Sequence, residues 1–341
     1  MKYITILIAS TILTGVLYYS AVLLLSPARI SAEYWVREAI VIKLDIAKKY
    51  SKRHKIVIAS GSSALFGIDT QNLTKRLSMP VINLGLHAAL SLEKILDVAD
   101  KATNSGDTII LQLEVPKYNE GPITAWQARN IIAWEPKVWN DFTLPQRIEA
   151  INAVGLKVFL YLIHERITSI LNPKLLAERA FVFNENDILK KFNPNIEVKK
   201  FAYSAYNLDS FGSMRDTNGS SYTGLPKRSP EDNILMSKKS LQLLTDFVNK
   251  MRIKGVKVCF AHNPYVKFKG FDMSSIMLSS DKFRKDLAKI APVIDDKQDL
   301  IFDRKYFFDT EYHLNSEGRE LNTTRFESAI RKSGLLSGSL L

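Results

Sequence analysis

The stretch Ile56-Val57-Ile58-Ala59-Ser60-Gly61-Ser62-Ser63 decides how this chain folds. Its first residues are a short, β-branched apolar run, the pattern of a strand buried on both faces of a sheet. The Gly-Ser-Ser that follows ends the strand, and Ala64-Leu65-Phe66-Gly67-Ile68-Asp69 carries the chain onward. Three further runs have the same character: Val81–Leu84, Thr108–Leu113 and Val256–Phe260. Helical patterns accompany them at Leu92–Thr103, Met236–Met251, Asp281–Ile290 and Ser316–Arg331, and Asn104-Ser105-Gly106-Asp107 is a turn. This alternation predicts a doubly wound parallel sheet with helices on both faces, a flavodoxin-like three-layer α/β/α fold. In such folds active groups gather at the carboxyl ends of the strands, where Ser62 and Ser63 stand.

The chain outside these elements reads differently. From Ile4 to Ala28 no residue is charged, a stretch longer than the roughly 20 residues a helix needs to cross a bilayer. It exceeds the apolar core of a cleaved signal peptide, and Pro27-Ala28-Arg29-Ile30-Ser31-Ala32 offers only a weak cleavage site, so residues 1–28 are expected to be a transmembrane signal anchor. Lys2 and the amino terminus on one side oppose Arg29, Arg37 and Lys43 on the other, offset by Glu33 and Asp45; charge alone does not set the orientation. Residues 29–54 read as a membrane-proximal linker, helical from 33 to 55, with the basic cluster Lys48, Lys49, Lys52, Arg53, His54 and Lys55 in solvent. Residues 55–335 form the α/β domain, interrupted at about 119–235 by a helical lobe. Within the lobe, Pro145–Leu171 reads as one buried helix or, alternatively, as a helix resting on the membrane or on a partner membrane protein; residues 207–232 read as an exposed loop.

With 341 residues, 46% hydrophobic and 24% charged, the composition is globular. The net charge of +12 suits an anionic neighbour such as a membrane surface or acidic polysaccharide. No zinc-finger, RNA-binding or basic-zipper signature accompanies it, so nucleic acid is not an expected partner. The single cysteine, Cys259, excludes an intramolecular disulfide and reads as a small core residue.

The C-terminal Asp309-Thr310-Glu311-Tyr312-His313-Leu314-Asn315 supplies what the Gly-Ser-Ser turn lacks. Nucleophilic catalysis by serine needs a histidine to take the proton and an acid to orient the imidazole. Asp309 and His313 fit those roles, with Asp303 and Glu311 as competing acids and Asn315 as the cap of the last helix. Backbone N–H groups at the turn could hold an oxyanion, helped by Asn83 and Gly85 in Val81-Ile82-Asn83-Leu84-Gly85-Leu86-His87. His87 could line the pocket, and Gln112 and Glu114 end the third run either at the site rim or satisfied internally. The arrangement is not the Gly-x-Ser-x-Gly elbow of α/β-hydrolases, because Gly67 lies too far along.

Together these segments resemble the SGNH/GDSL hydrolase superfamily, in particular its membrane-anchored members associated with cell-surface polysaccharide acylation. The resemblance rests on Gly61-Ser62-Ser63, Phe66-Gly67-Ile68-Asp69, Asn83-Leu84-Gly85, the Gln112–Glu114 region, and Asp309 with His313-Leu314-Asn315-Ser316-Glu317-Gly318; it covers roughly residues 54–118 and 256–330. It implies Ser63 as nucleophile, with Ser62 as the alternative, His313 as base and Asp309 as acid. It implies an oxyanion held by the Ser63 and Gly85 N–H groups and Asn83, with no metal or cofactor. The implied activity is an acyl esterase or O-acyltransferase on acyl, foremost acetyl, esters of an extracytoplasmic glycan. The alternatives are an inactive glycan-binding or scaffold partner of a membrane acyltransferase, and an extracytoplasmic lipid esterase. The sequence departs from the family in spacing Asp309 and His313 four apart rather than three, and in having Leu113-Glu114-Val115 where Gly-x-Asn-Asp is usual.

Overall fold

The four apolar runs become strands β1 (Ile56–Ser60), β2 (Val81–Gly85), β3 (Thr108–Leu111) and β4 (Lys257–Phe260) in the computed structural model. It describes residues 2–25, 33–88, 90–119, 121–172, 184–197, 201–224, 236–267, 273–295 and 300–336. The strands form one parallel sheet in the order β2-β1-β3-β4, and Phe260 adds a single parallel bridge to Val293 beyond β4. Ile56 is in register with both Val81 and Thr108, and Thr108 with Lys257, so the carboxyl ends of all four strands lie together.

The chain divides into two compact units, Met1–Arg37 with Gly121–Asn184, and Glu38–Glu120 with Glu185–Leu341. The second holds the sheet. In chain order its first helices are the greater part of α2 (Tyr34–Lys49), then α3 (Ser62–Gly67), α4 (Thr70–Leu77), α5 (Leu92–Lys101) and α6 (Val115–Tyr118). One face of the sheet, with Ile56, Ile58, Ile110 and Cys259, packs on Leu73 and Leu77 of α4 and on Phe326 and Ile330 of the last helix. Because side chains alternate along a strand, the other face is left for α5 and for Lys238–Lys254, which touch β1 and β4 respectively as well as each other. Cys259 is buried, and burial pushes its thiol pKa up, as fits a core residue.

The stretch expected to be a charged linker is built into this unit instead. Ala39, Ile40, Ile42, Ile46 and Ala47 of α2 are buried, and so is Lys43. Lys43 Nζ donates to the Asn83 carbonyl (2.8 Å) and the Gly212 carbonyl (2.5 Å), while burial pulls its pKa down to about 7 against the pull of Asp209. Of the basic cluster, Lys48, Lys49, Lys52, Arg53 and His54 are exposed, but Lys55 is buried. Its ammonium meets the Asp107 carboxylate at 2.5 Å, and Asp107 also accepts the Lys55 and Asn104 N–H groups. This pair clamps the amino ends of β1 and β3.

The loop read as exposed is mostly interior from Asn207 to Thr217. Its polar groups satisfy one another. The Asp209 carboxylate accepts the Phe211 and Ser213 N–H groups, and Phe211 returns its carbonyl to the Asn83 N–H on the outer edge of β2. A covered edge strand is protected from pairing with another chain. Residues 225–232 of that expected loop lie outside the described residues.

In the other unit, α1 (Lys2–Leu25) is long and apolar enough to cross a membrane. The lobe contains α7 (Ala125–Trp134), α8 (Pro136–Asp141), α9 (Leu144–Val154) and α10 (Leu156–Leu171). The single helix expected over Pro145–Leu171 is two, because Gly155 adopts φ +79°, outside the helical region. Ala128, Ile131, Ile132, Trp139, Ala150, Ile151 and Val154 form this unit's core, with Tyr18 and Tyr19 of α1 packed against it. The remaining elements belong to the sheet-bearing unit: α11 (Glu185–Lys191), α12 (Lys238–Lys254), β5 (Tyr265–Val266), α13 (Met273–Ala288), β6 (Ile301–Phe302) and α14 (Ser316–Lys332).

Removing one partner of a buried ion pair leaves the other charge uncompensated, at a cost of about 3–5 kcal/mol. Asp107→Ala is therefore expected to lower the unfolding free energy of the detergent-solubilised protein by about that much. Denaturant titration checks this, and a midpoint within error of wild type would show that the clamp is dispensable.

Candidate active site

The acid and the histidine of the C-terminal segment meet. His313 Nδ1 lies 2.7 Å from Asp309 Oδ1, so the ring donates its Nδ1–H to the carboxylate and leaves Nε2 as the acceptor. Asp303 and Glu311 do not take this role. The second carboxylate oxygen of Asp309 accepts the hydroxyl of Tyr203, which also lies 3.4 Å from His313 Nδ1. Burial disfavours the charged form of Asp309, but the hydrogen bonds from His313 and Tyr203 outweigh it and hold the pKa below the usual carboxylate value.

The imidazole is fixed from a second direction by aromatic packing. Phe66 of α3 stacks on it with centroids 4.0 Å apart and planes 7° from parallel, and Phe66 in turn touches Phe201, Tyr203 and Phe308. Just beyond, Asn315 caps α14 by accepting the Gly318 N–H at 3.0 Å and donates to the Lys305 carbonyl at 2.7 Å. A side chain at residue 318 would collide with the Tyr306 carbonyl, which explains the glycine there.

The serines stand at the start of α3, directly after β1, both buried. Ser63 does not reach the histidine. Its hydroxyl donates to Asn263 Oδ1 at 2.6 Å and lies 2.9 Å from Ser60 Oγ. Ser62 precedes Phe66 by four residues and so shares its face of the helix, the face on which His313 is stacked. Among the described residues no hydrogen bond joins either serine to His313.

The groups expected to hold an oxyanion are already engaged. The Glu114 carboxylate accepts the Gly61 N–H at 3.0 Å and the Ser63 N–H at 2.8 Å, and any side chain at residue 61 would collide with it. Asn83 Oδ1 takes the Gly85 N–H at 2.8 Å, and Asn83 Nδ2 donates to the Ala64 carbonyl at 2.7 Å and to Ser213 Oγ at 3.2 Å. Asn83 and Gly85 thus join the end of β2 to α3, and glycine is required because a Cβ at residue 85 would strike the Leu65 backbone. Gln112 Nε2 donates to the His262 carbonyl at 3.0 Å, while Gln112 Oε1 is buried with no partner.

The sheet end also holds residues that the sequence reading passed over. After β4 come His262 and Asn263. Asn263 receives the Ser63 hydroxyl and donates to the Leu113 carbonyl at 2.7 Å. His262 forms a second histidine–carboxylate pair, 2.8 Å from Nδ1 to Asp295 Oδ1, and Arg325 lies 3.1 Å from the other oxygen. Burial opposes ionisation of Asp295, but these cationic and hydrogen-bonding neighbours hold its pKa down. The rule that chemistry collects at strand ends would have flagged His262 and Asn263; Tyr203, in a polar loop, carries no such signal.

His87 follows β2 and is kept neutral. Burial first, then the nearby charges of His313 and Lys117, lowers its pKa from 6.5 to about 4. Lys117 is itself bound through Nζ to the Ala88 carbonyl at 2.9 Å and to the Leu90 carbonyl.

Neither a scan against protein-family models nor a search of curated proteins finds a match to this chain. Fold and site together define a mixed α/β protein with a four-stranded parallel sheet and an apolar N-terminal helix long enough to cross a membrane.

A histidine whose folded pKa is depressed binds its proton in the unfolded chain first, so its contribution to stability is lost as pH falls from 6.5 towards about 4. The unfolding temperature of wild type is expected to drop across that window, and the drop should be shallower in His87→Asn. Parallel curves for the two proteins would show that His87 is not the group responsible.

Proposed function

We propose that this chain is a membrane-anchored serine esterase or O-acyltransferase of the SGNH kind on a flavodoxin-like fold. Its substrates would be acyl, foremost acetyl, esters of a glycan outside the cytoplasm, with the N-terminal helix as a single-pass anchor. The observation that carries the reading is the oriented dyad: His313 hydrogen-bonded to Asp309 at 2.7 Å and stacked at 4.0 Å on the residue one turn after Ser62.

The chemistry follows from the tautomer. With Nδ1–H given to Asp309, His313 Nε2 accepts the proton of a serine hydroxyl as Oγ attacks the acyl carbonyl. Collapse of the tetrahedral adduct breaks the ester bond, and the imidazolium returns the proton to the departing sugar oxygen. Water then resolves the acyl-enzyme in an esterase, and a second sugar hydroxyl does so in a transferase. The Asp309 carboxylate, kept ionised by His313 and Tyr203, stabilises the imidazolium while each tetrahedral adduct stands.

The family resemblance points to Ser63 as nucleophile, whereas the hydrogen bonding favours Ser62. The Ser63 hydroxyl is committed to Asn263, while Ser62 shares the Phe66 face of α3.

A second reading has a specific observation in its favour. Glu114 and Asn83 occupy the amide donors of Gly61, Ser63 and Gly85. Donors so satisfied suit a glycan-binding or scaffold partner of a membrane acyltransferase.

Loss of a positioned general base costs typically 10²–10⁴-fold in rate. Full-length protein in detergent is expected to hydrolyse a chromogenic acetate ester, with His313→Ala and Ser62→Ala each reduced on the order of 10²-fold or more and Ser63→Ala reduced less. Loss in Ser63→Ala alone would transfer the role to Ser63. Full activity in both serine variants would sink the covalent mechanism, and no ester cleavage by wild type, with glycan binding retained, would favour the scaffold.

A further inference from the structure

Helix α10 carries an apolar stripe that its own unit does not cover. Leu156, Leu160, Ile167 and Leu171 are 62%, 57%, 52% and 78% exposed. At 3.6 residues per turn, these four positions fall within an arc of about 60° and run for roughly 22 Å along the helix. The exposed Lys157 and His164 border the stripe on one side. On the opposite side of α10, Val158 packs against the core of the unit.

The neighbour of α10 bears on what covers this face. Helix α1 packs on both α9 and α10. Tyr18 and Tyr19, near its C-terminal end, rest against the core of the lobe, and the Tyr19 hydroxyl donates to Asn152 Oδ1 at 2.9 Å. A helix crosses the hydrocarbon with about 20 residues, and the stretch of α1 apolar enough to do so runs Lys2–Ser20, which puts residues 18 and 19 at its end, near one membrane surface. Tyrosine is enriched at that depth because its ring is apolar and its hydroxyl is wet. A helix held against α1 there, apolar along one stripe with Lys157 at its border, has the pattern of an interfacial helix whose cation meets lipid headgroups.

We propose that the Leu156–Leu171 stripe lies in the lipid interface, so that the lobe is a second membrane contact alongside α1. The inference rests on reading α1 as a membrane span. It gives the lobe a mechanical role, as a second contact limits rotation of the lobe about the axis of a single helix.

The test uses full-length protein in vesicles of equal parts phosphatidylcholine and phosphatidylglycerol, in a Cys259→Ala background. Single nitroxide labels are placed at Leu160→Cys and Ile167→Cys, with Leu156→Cys and Leu171→Cys as alternates should either fail to fold. Leu13→Cys reports the span, and Lys190→Cys, on an exposed helix position, reports water. Oxygen is expected to relax the labels at Leu160 and Ile167 more than a water-soluble nickel chelate does, as at Leu13 and opposite to Lys190. Chelate-dominated relaxation at Leu160 and Ile167 would place the stripe in water and overturn the proposal. Shielding from both agents, with dipolar broadening, would mean that protein covers the stripe and would also overturn it. Chelate-dominated relaxation at Leu13 would instead reject the membrane reading of α1 itself.

Discussion

The carboxylate of Glu114 is the contact on which the architecture of the site depends. It stands after β3, at the start of α6, and it accepts the amides of Gly61 and Ser63 at the point where β1 turns into α3. Those amides have no partner within a helix, and a buried unpaired N–H costs about 1–3 kcal/mol. One side chain thus satisfies two donors and fixes the first turn of α3 relative to the sheet. Three contacts of the candidate site run from that turn. Phe66 points to His313, Ser63 to Asn263, and Leu65 approaches β2 closely enough to exclude a side chain at Gly85.

From this the contrast between the two histidine–carboxylate pairs follows. His313 is held by the Phe66 ring stacked on it and by the Asp309 carboxylate, which His313 and Tyr203 keep ionised. His262 is enclosed at the end of β4, its carboxylate shared with Arg325 and its Nε2 buried without a partner. In the proposed mechanism the first is the base, while the second is enclosed as an internal strut. Ser63 lies on the side of the strut, tied to Asn263, and Ser62 on the side of the base.

Much of the scaffold was legible in the sequence. The runs at Ile56, Val81, Thr108 and Lys257 are strands because each is β-branched, short and bounded by turns, and a parallel sheet buried on both faces demands such runs. The cap at Asn315 and the pairing of Asp309 with His313 were legible because both act within a few residues. Lys55 and the loop at Asn207–Thr217 were misread for one reason: a charged or polar residue reads as exposed until its partner is known. Asp107 lies 52 residues from Lys55, and Phe211 reaches the Asn83 edge of β2 from still farther along the chain. The helix break at Gly155 was missed because the apolar pattern continues across it.

By itself the sequence determined the elements of the sheet, the apolar N-terminal helix and the pairing of acid with histidine, since these follow from local periodicity and near spacing. Only the tertiary structure decided how the serines divide, what the strand-end polar residues do and which amides remain available. Those outcomes depend on which distant side chain reaches a buried donor, and burial makes most such donors take a partner. Glu114 and Asn263 are the partners that arrived, and no spacing along the chain announces either.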